Sequence, residues 1–305
     1  MPENFTRKII SIIFPGIILF FPCTVAAQQN SLRSEIEAIT RSVDGKVGVA
    51  VMNLDSRDTL TVHGKDHYPM QSVYKFPLAL AVLDQVDRGK LSLEQKIHIS
   101  QSELIPNTWS PLAKKYPEGN VDVPLRELLR YTVSQSDNNA CDMLFRLIGG
   151  PKKAEEYIQT IGVKDITMVN TEAEMHKDWE AQFANWSRPT AMVQLLELSF
   201  KKDILSKSSK DLLYIFMTET TTGLKRIKGL LPKETIVLHK TGTSGTSDTG
   251  ITPAINDVGI MILPGGQQVA IAVFVSNTSA GMDAAENVIA RISKAVYDHY
   301  TEGRK

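Results

Sequence analysis

Ser72 and Lys75 stand three residues apart at the mouth of an apolar run, Phe76-Pro77-Leu78-Ala79-Leu80-Ala81-Val82-Leu83. At that spacing on a helix both side chains share one face of the first turn. Pro77 is tolerated there because the early helical N–H groups have no intrahelical partner to lose. An amine held in apolar surroundings beside a hydroxyl has a depressed pKa and can accept that hydroxyl's proton, which makes the serine a nucleophile. Taken alone the pair is weak, since it arises by chance about once per chain of ordinary composition. Two further tripeptides strengthen it. Ser136-Asp137-Asn138 falls on a short turn between two helical patterns, and Lys240-Thr241-Gly242 ends a strand pattern, where Gly242 permits close backbone approach. Between them Glu172 sits in Asn170–Trp186, a segment without helical or strand period. A loop of that length in a compact domain is more often functional than idle.

The elements that must position these residues follow from hydrophobic period. Lys46–Leu54 and Thr59–His63 alternate as strands, and so do Thr235–Thr241, Val258–Leu263 and Val269–Val275. Pro264-Gly265-Gly266 marks a hairpin between the last two. A helix capped at Asn30-Ser31 precedes the first strand pair, and Ala284–Tyr300 forms the last helix. The middle reads as helical over Pro124–Thr132, Asn138–Ile148, Pro151–Ile161, from Pro189 through Leu198, and from Ser208 through Phe216. The expected fold is α/β: a five-stranded antiparallel sheet flanked by N- and C-terminal helices, with an inserted all-helical domain and the active site between them. Residues 28–66 and 220–305 would build the sheet domain, and 67–219 the helical one.

Composition narrows the function classes. The 305 residues are 42% hydrophobic and 22% charged with no net charge, and no basic block is interleaved with aromatics, which argues against nucleic acid as a partner. Arg7-Lys8, the apolar run Ile9–Phe21 and the small residues Val25-Ala26-Ala27 form a secretory leader, with cleavage after Ala27. Cys141 is then the single remaining cysteine, so the mature chain has no internal disulfide and suits a bacterial periplasm, free of the membrane and monomeric. His63 and His67 lie four apart, but Gly64 and the strand-turn context deny them a common helix face, so no metal is expected. No cofactor is implied.

Serine-x-x-lysine, then Ser136-Asp137-Asn138, then a loop glutamate, then Lys240-Thr241-Gly242 resembles the class A serine β-lactamases. The resemblance covers nearly the whole mature chain. Glu-Ala-Glu-Met-His and Thr-Gly-Leu-Lys-Arg-Ile look like its extended-spectrum branch, related to PER-like and VEB-like enzymes. It implies small-molecule β-lactam substrates, penicillins and cephalosporins including oxyimino-cephalosporins, and these catalytic roles: Ser72 as nucleophile, Lys75 and Glu172 as general bases, Ser136 as proton relay to the lactam nitrogen, and Lys240 beside it. The N–H groups of Ser72 and Thr243 would form the oxyanion hole. Asn138 would hold the substrate side-chain amide, while Lys240 and Thr241 would meet its carboxylate.

Departures from the family pattern set further expectations. His176 stands where an asparagine often helps hold the hydrolytic water. Asn170 and Asn185 replace the arginine and aspartate that usually close the loop as an ion pair. Thr249 stands in place of a common arginine, with Arg226 as its substitute, reaching the substrate carboxylate from another element. Trp109 resembles the aromatic gatekeeper at the pocket rim. Two rival functions share part of the motif set: a penicillin-binding DD-peptidase, against which the loop glutamate argues, and a non-enzymatic β-lactam sensor domain, which would need a retained membrane span.

Overall fold

The computed structural model describes Met1 and residues 23–302, so most of the leader expected at residues 1–27 lies outside the described residues. Among the described residues no helix is long and apolar enough to cross a membrane.

Strict alternation makes the sheet. Its five strands are all antiparallel, in the order Thr59–Val62, Lys46–Asn53, Gln268–Ser276, Ile255–Ile262 and Ile236–Thr243. Because side chains alternate between faces, Val47, Val49, Val51, Ile271, Val273 and Val275 point one way, onto Leu32, Ile36, Val288 and Ile292. Those residues belong to the first and last helices, Cys23–Thr40 and Met282–Glu302. Ala50, Leu238, Val258, Ala272 and Phe274 point the other way, into the core of the helical layer. The expected architecture is therefore present, and the hairpin at Pro264-Gly265-Gly266 pairs Ile262 with Gln268.

The departures are local. The first helix runs from Cys23 through the expected cap at Asn30-Ser31. The strand expected from Val258 begins at Ile255, and the one ending at Thr241 continues to Thr243. The helical layer also carries two small sheets, Tyr68–Pro69 with Trp186–Ser187 and Ile166–Thr167, and Lys96–Ile99 with Val121–Pro124. Strands of two to four residues are too short to show a period. The segment from Asn170 to Trp186, read as irregular, holds a short helix, Glu172–Lys177, and a 3-10 turn, Glu180–Ala184. A capping box starts that helix: Thr171 Oγ1 accepts from the Glu174 amide, and the Glu174 carboxylate accepts from the Thr171 amide at 2.7 Å.

Where an arginine–aspartate pair is usual, Asn170 and Asn185 tie this segment down through their amide groups, together with a cap. Asn185, fully buried, accepts from the Val169 and Asn170 amides at 2.7 and 2.9 Å and donates to the Asn170 carbonyl at 2.8 Å. Asn170 Nδ2 donates in turn to the Ala181 carbonyl at 2.7 Å. From the helix Asn138–Ile148, Asp142 accepts from the Glu172 and Ala173 amides at 2.8 and 2.9 Å. It thereby satisfies two orphan donors and places negative charge at a helix start. Burial is the main reason its carboxyl rises to about 6, partly offset by those two amide bonds.

Two outcomes are expected. Asn185→Ala leaves the Val169 and Asn170 amides without their acceptor, at about 0.5–1.5 kcal/mol each, and frees the loop; urea unfolding should show the loss in midpoint. Asp142 has a folded-state pKa above its unfolded value, so the native state binds the extra proton and gains stability on acidification. That gain is present below about pH 4 and lost as pH rises towards 6. Asp142→Asn removes this component, so the stability difference between variant and parent should change between pH 4 and 6 and be flat above 7.

Candidate active site

The Ser72 turn is built by backbone strain and close packing. Gln71 lies in the left-handed region (φ 47°) as the first residue of the 3-10 turn Gln71–Tyr74, which runs into the helix Lys75–Asp87. This differs in detail from a serine on the first α-helical turn, but it still presents Ser72 and Lys75 together. The end of the strand Ile236–Thr243 lies against the turn. A Cβ on Gly242 would meet the Met70 carbonyl oxygen at 2.2 Å, so only glycine allows Thr243 to come this close to Ser72. Ser136 is also left-handed (φ 57°), and Asp137 behind it is buried. Asp137 accepts from the Leu112 amide at 2.6 Å and the Ala140 amide at 2.9 Å, fixing the turn that carries Ser136 and Asn138. Burial raises the Asp137 carboxyl above its usual range, against the pull of those bonds.

Lys75 is the hub. Its fully buried Nζ donates to Ser72 Oγ at 2.9 Å, to the Ser136 carbonyl at 2.9 Å and to Asn138 Oδ1 at 2.5 Å. Glu172 Oε1 stands 2.9 Å from the same nitrogen, as an ion pair. An ammonium has three hydrogens and here faces four oxygens, so one contact rests on charge alone. That contact is Glu172 Oε1, which is buried and accepts no aligned hydrogen bond. The carboxylate therefore keeps lone-pair capacity for an incoming proton donor. Ser72 Oγ and Glu172 Oε1 each touch Lys75 Nζ, so they lie within two hydrogen-bond lengths of each other. A single water can span such a gap.

A second lysine completes the cleft. Lys240 Nζ is fully buried, 2.8 Å from Ser136 Oγ and 3.0 Å from the Thr241 carbonyl. Burial, and then repulsion from Lys75, push its ammonium well below the usual lysine range. An amine so placed can exchange a proton with the Ser136 hydroxyl. The cleft has a volume of about 310 Å³ and is lined by Ser72, Trp109, Ser136, Asn138, Glu172, Thr241 and Thr243, together with Gln71 and Thr222. Trp109 is 52% exposed at the rim, with its indole N–H donating to the Gln135 carbonyl at 2.8 Å. Asn138 Nδ2 donates to Thr108 Oγ1 at 2.7 Å, which orients its amide.

Two expected residues sit elsewhere. His176 is exposed and lines an adjoining cavity of about 210 Å³ that shares Gln71, Asn138, Glu172 and Thr243 with the main cleft. Arg226 does not reach the cleft. It is 3% exposed and donates to Glu286 Oε1 (3.0 Å), to the Gly242 and Asn256 carbonyls (3.1 and 2.8 Å) and to Thr243 Oγ1 (2.7 Å). Four of its five N–H groups are thus spent on oxygens and the last faces Met282 Sδ at 3.8 Å, so none is left for a ligand. Thr243, whose hydroxyl accepts from Arg226 and so keeps its own O–H to donate, does line the cleft. Gln71, Thr108 and Thr222 were missed by sequence reasoning. Gln71 adjoins the serine and Thr222 opens the Thr-Gly-Leu-Lys-Arg-Ile stretch, so adjacency to a motif was their only signal.

The family model described as the beta-lactamase enzyme family matches residues 31–300. The chain is 44% identical to beta-lactamase VEB-1 of Pseudomonas aeruginosa over 285 residues, 92% of this chain and 95% of that protein. It is 42% identical to extended-spectrum beta-lactamase PER-1 of the same organism, over 92% of this chain and 91% of the relative. The crystal structure of TLA-1 extended-spectrum beta-lactamase superposes with a TM-score of 0.88 at 53% identity, over 90% of this chain and 99% of that one. Kinship that spans nearly the whole chain, on a sheet-and-helix frame that these relatives share, makes this chain a member of the beta-lactamase enzyme family, in its class A branch, and a β-lactam hydrolase.

Proposed function

We propose that this β-lactamase hydrolyses penicillins and cephalosporins, including oxyimino-cephalosporins, through a covalent ester on Ser72. The observation that carries the reading is the shared approach of Ser72 Oγ and Glu172 Oε1 to Lys75 Nζ, each at 2.9 Å. In acylation the Ser72 proton passes to the Lys75–Glu172 couple as Oγ attacks the lactam carbonyl carbon. The N–H groups of Ser72 and Thr243 stabilise the oxyanion, aided by the positive end of the helix that follows Ser72. The C–N bond then breaks, and the Ser136 hydroxyl protonates the departing nitrogen and is resupplied from Lys240; the proton taken up by the Lys75–Glu172 couple restores Lys240 and leaves Glu172 a carboxylate. In deacylation Glu172 takes a proton from water as that water attacks the ester carbon, and Ser72 leaves with a proton returned to it. Asn138 holds the substrate side-chain amide. Lys240, Thr241 and the Thr243 hydroxyl meet the carboxylate. Arg226 acts through Thr243.

The extended spectrum rests on the adjoining cavity behind Glu172, walled by His176, Trp179 and Gly245 and open to the main cleft through shared residues. Its volume suits a bulky acyl side chain. The names of the relatives, extended-spectrum enzymes among them, support the same reading. The enzyme works as a periplasmic monomer after removal of a leader at residues 1–27. Residues 28–66 with 220–305 form its sheet domain, and 67–219 its helical domain.

Ser72→Ala should abolish the acyl adduct seen by intact mass after mixing with benzylpenicillin. Glu172→Gln should form that adduct and hold it, with turnover down by about a thousandfold or more. An adduct that clears at the parent rate in Glu172→Gln would remove the glutamate from deacylation. Steady-state rates on benzylpenicillin, a simple cephalosporin and an oxyimino-cephalosporin test the spectrum; failure on every oxyimino substrate would confine it to the first two.

A further inference from the structure

Beneath the far end of the cleft lies a polar pair that the reaction described above does not use. His239 and Asp257 are both fully buried, on neighbouring strands, with His239 Nδ1 at 3.0 Å from both carboxylate oxygens. His239 Nε2 is buried without a partner. A bare lone pair is cheaper to bury than an unpaired N–H, so this network assigns the proton to Nδ1, donating to Asp257. Asp257 Oδ2 also accepts from the Ile227 amide at 3.1 Å, and the His239 carbonyl accepts from Thr220 Oγ1 at 2.7 Å. The stretch Thr220–Ile227 is therefore pinned to the sheet at one end by the Asp257 carboxylate and at the other by the main chain of His239.

That stretch serves the cleft at three points. Thr222 Oγ1 is 2.6 Å from Thr241 Oγ1. Gly223, at φ 63°, lies so flat on the strand that a Cβ would meet Thr241 Cγ2 at 2.5 Å. Arg226 bridges the Gly242 carbonyl and Thr243 Oγ1. The hydroxyls of Thr241 and Thr243 thus take their direction from a stretch whose own place is fixed by His239 and Asp257. The geometry points to Asp257 as a positioning residue: it acts through Ile227, Arg226 and Thr222 to aim the two threonine hydroxyls at the substrate carboxylate, with His239 as its support. The inference rests on the proposal that those hydroxyls meet that carboxylate.

Benzylpenicillin and its methyl ester separate this from a general loss of structure, because only the acid offers the threonines an anion. For Asp257→Ala we expect kcat/KM on the acid to fall about tenfold, chiefly through KM, while the ester changes by less than about twofold. Asp257→Asn keeps an acceptor for the Ile227 amide and should retain at least half of the parent's preference for acid over ester. A folded Asp257→Ala protein with the parent's acid-to-ester ratio, or one that loses both substrates equally, overturns the inference. If the alanine variant does not fold, Thr220→Val, which removes only the hydroxyl bond to the His239 carbonyl, must show the same selective loss in smaller measure, and an unchanged ratio there counts against it. Should the parent itself fail to prefer the acid, the carboxylate reading fails. Asp257 is then judged by crystal structures of Asp257→Ala and Thr220→Val: separation of Arg226 from Thr243 Oγ1 in either supports positioning, and an unmoved Arg226 overturns it.

Discussion

An ammonium with no exposure to solvent must be surrounded by oxygens, or the chain will not fold around it. Lys75 imposes that demand here. Its four oxygen neighbours come from the Ser72 turn, the Ser136–Asn138 turn and the Glu172 loop, three places far apart in sequence. Bringing them together satisfies the buried charge, and the same convergence sets a hydroxyl, an amine and a carboxylate around one point. The stabilising role of Lys75 and the chemical role proposed for it thus rest on one arrangement. Lys240 sharpens it from the opposite wall, where its own burial, and then repulsion from Lys75, drive its ammonium down.

The strained backbone at Gln71 and Ser136 is held by that convergence. Neither residue has the freedom of glycine, yet both sit at positive φ at the edges of the cleft. The Met70 amide is fixed by the Asn185 carbonyl at 2.8 Å, the Met70 carbonyl meets Asn256 Nδ2 at 3.2 Å, and Asp137 is enclosed by donors behind Ser136. The surroundings specify the turns so fully that the local cost can be borne. Rigidity of this kind keeps the Ser72 hydroxyl, Lys75 and Glu172 in register without help from a ligand.

The large features were legible because their physics is periodic. Val47, Val49 and Val51 announce a strand whichever fold they enter, and Leu125, Leu128 and Leu129 announce a helix face. The chemical residues were legible because their types come in short, ordered motifs. What escaped was whatever depends on where a long side chain ends. Arg226 reads as a cation seeking an anion, and it is one, but the anion is Glu286, and the rest of the guanidinium is taken by two carbonyls, the Thr243 hydroxyl and the Met282 sulfur. Asp142, in the midst of a helix, gives no sign that it caps another. The short helix at Glu172 was hidden because six residues with one capping box are too few for a period to emerge.

Beside the Lys75 ion pair and the side-chain bonds Gln71–Gln182 and Asn185–Met175, the Glu172 loop is fastened by its main chain: Asp142 holds the amides of Glu172 and Ala173, Asn185 holds those of Val169 and Asn170, and Asn170 grips the Ala181 carbonyl. Fasteners that grip peptide groups are indifferent to the side chains those peptides carry. His176 and Trp179, which face the side cavity, can be exchanged over generations without loosening the carboxylate beside them. Selection by a new drug would therefore meet a wall it can reshape cheaply, attached to an engine it need not disturb.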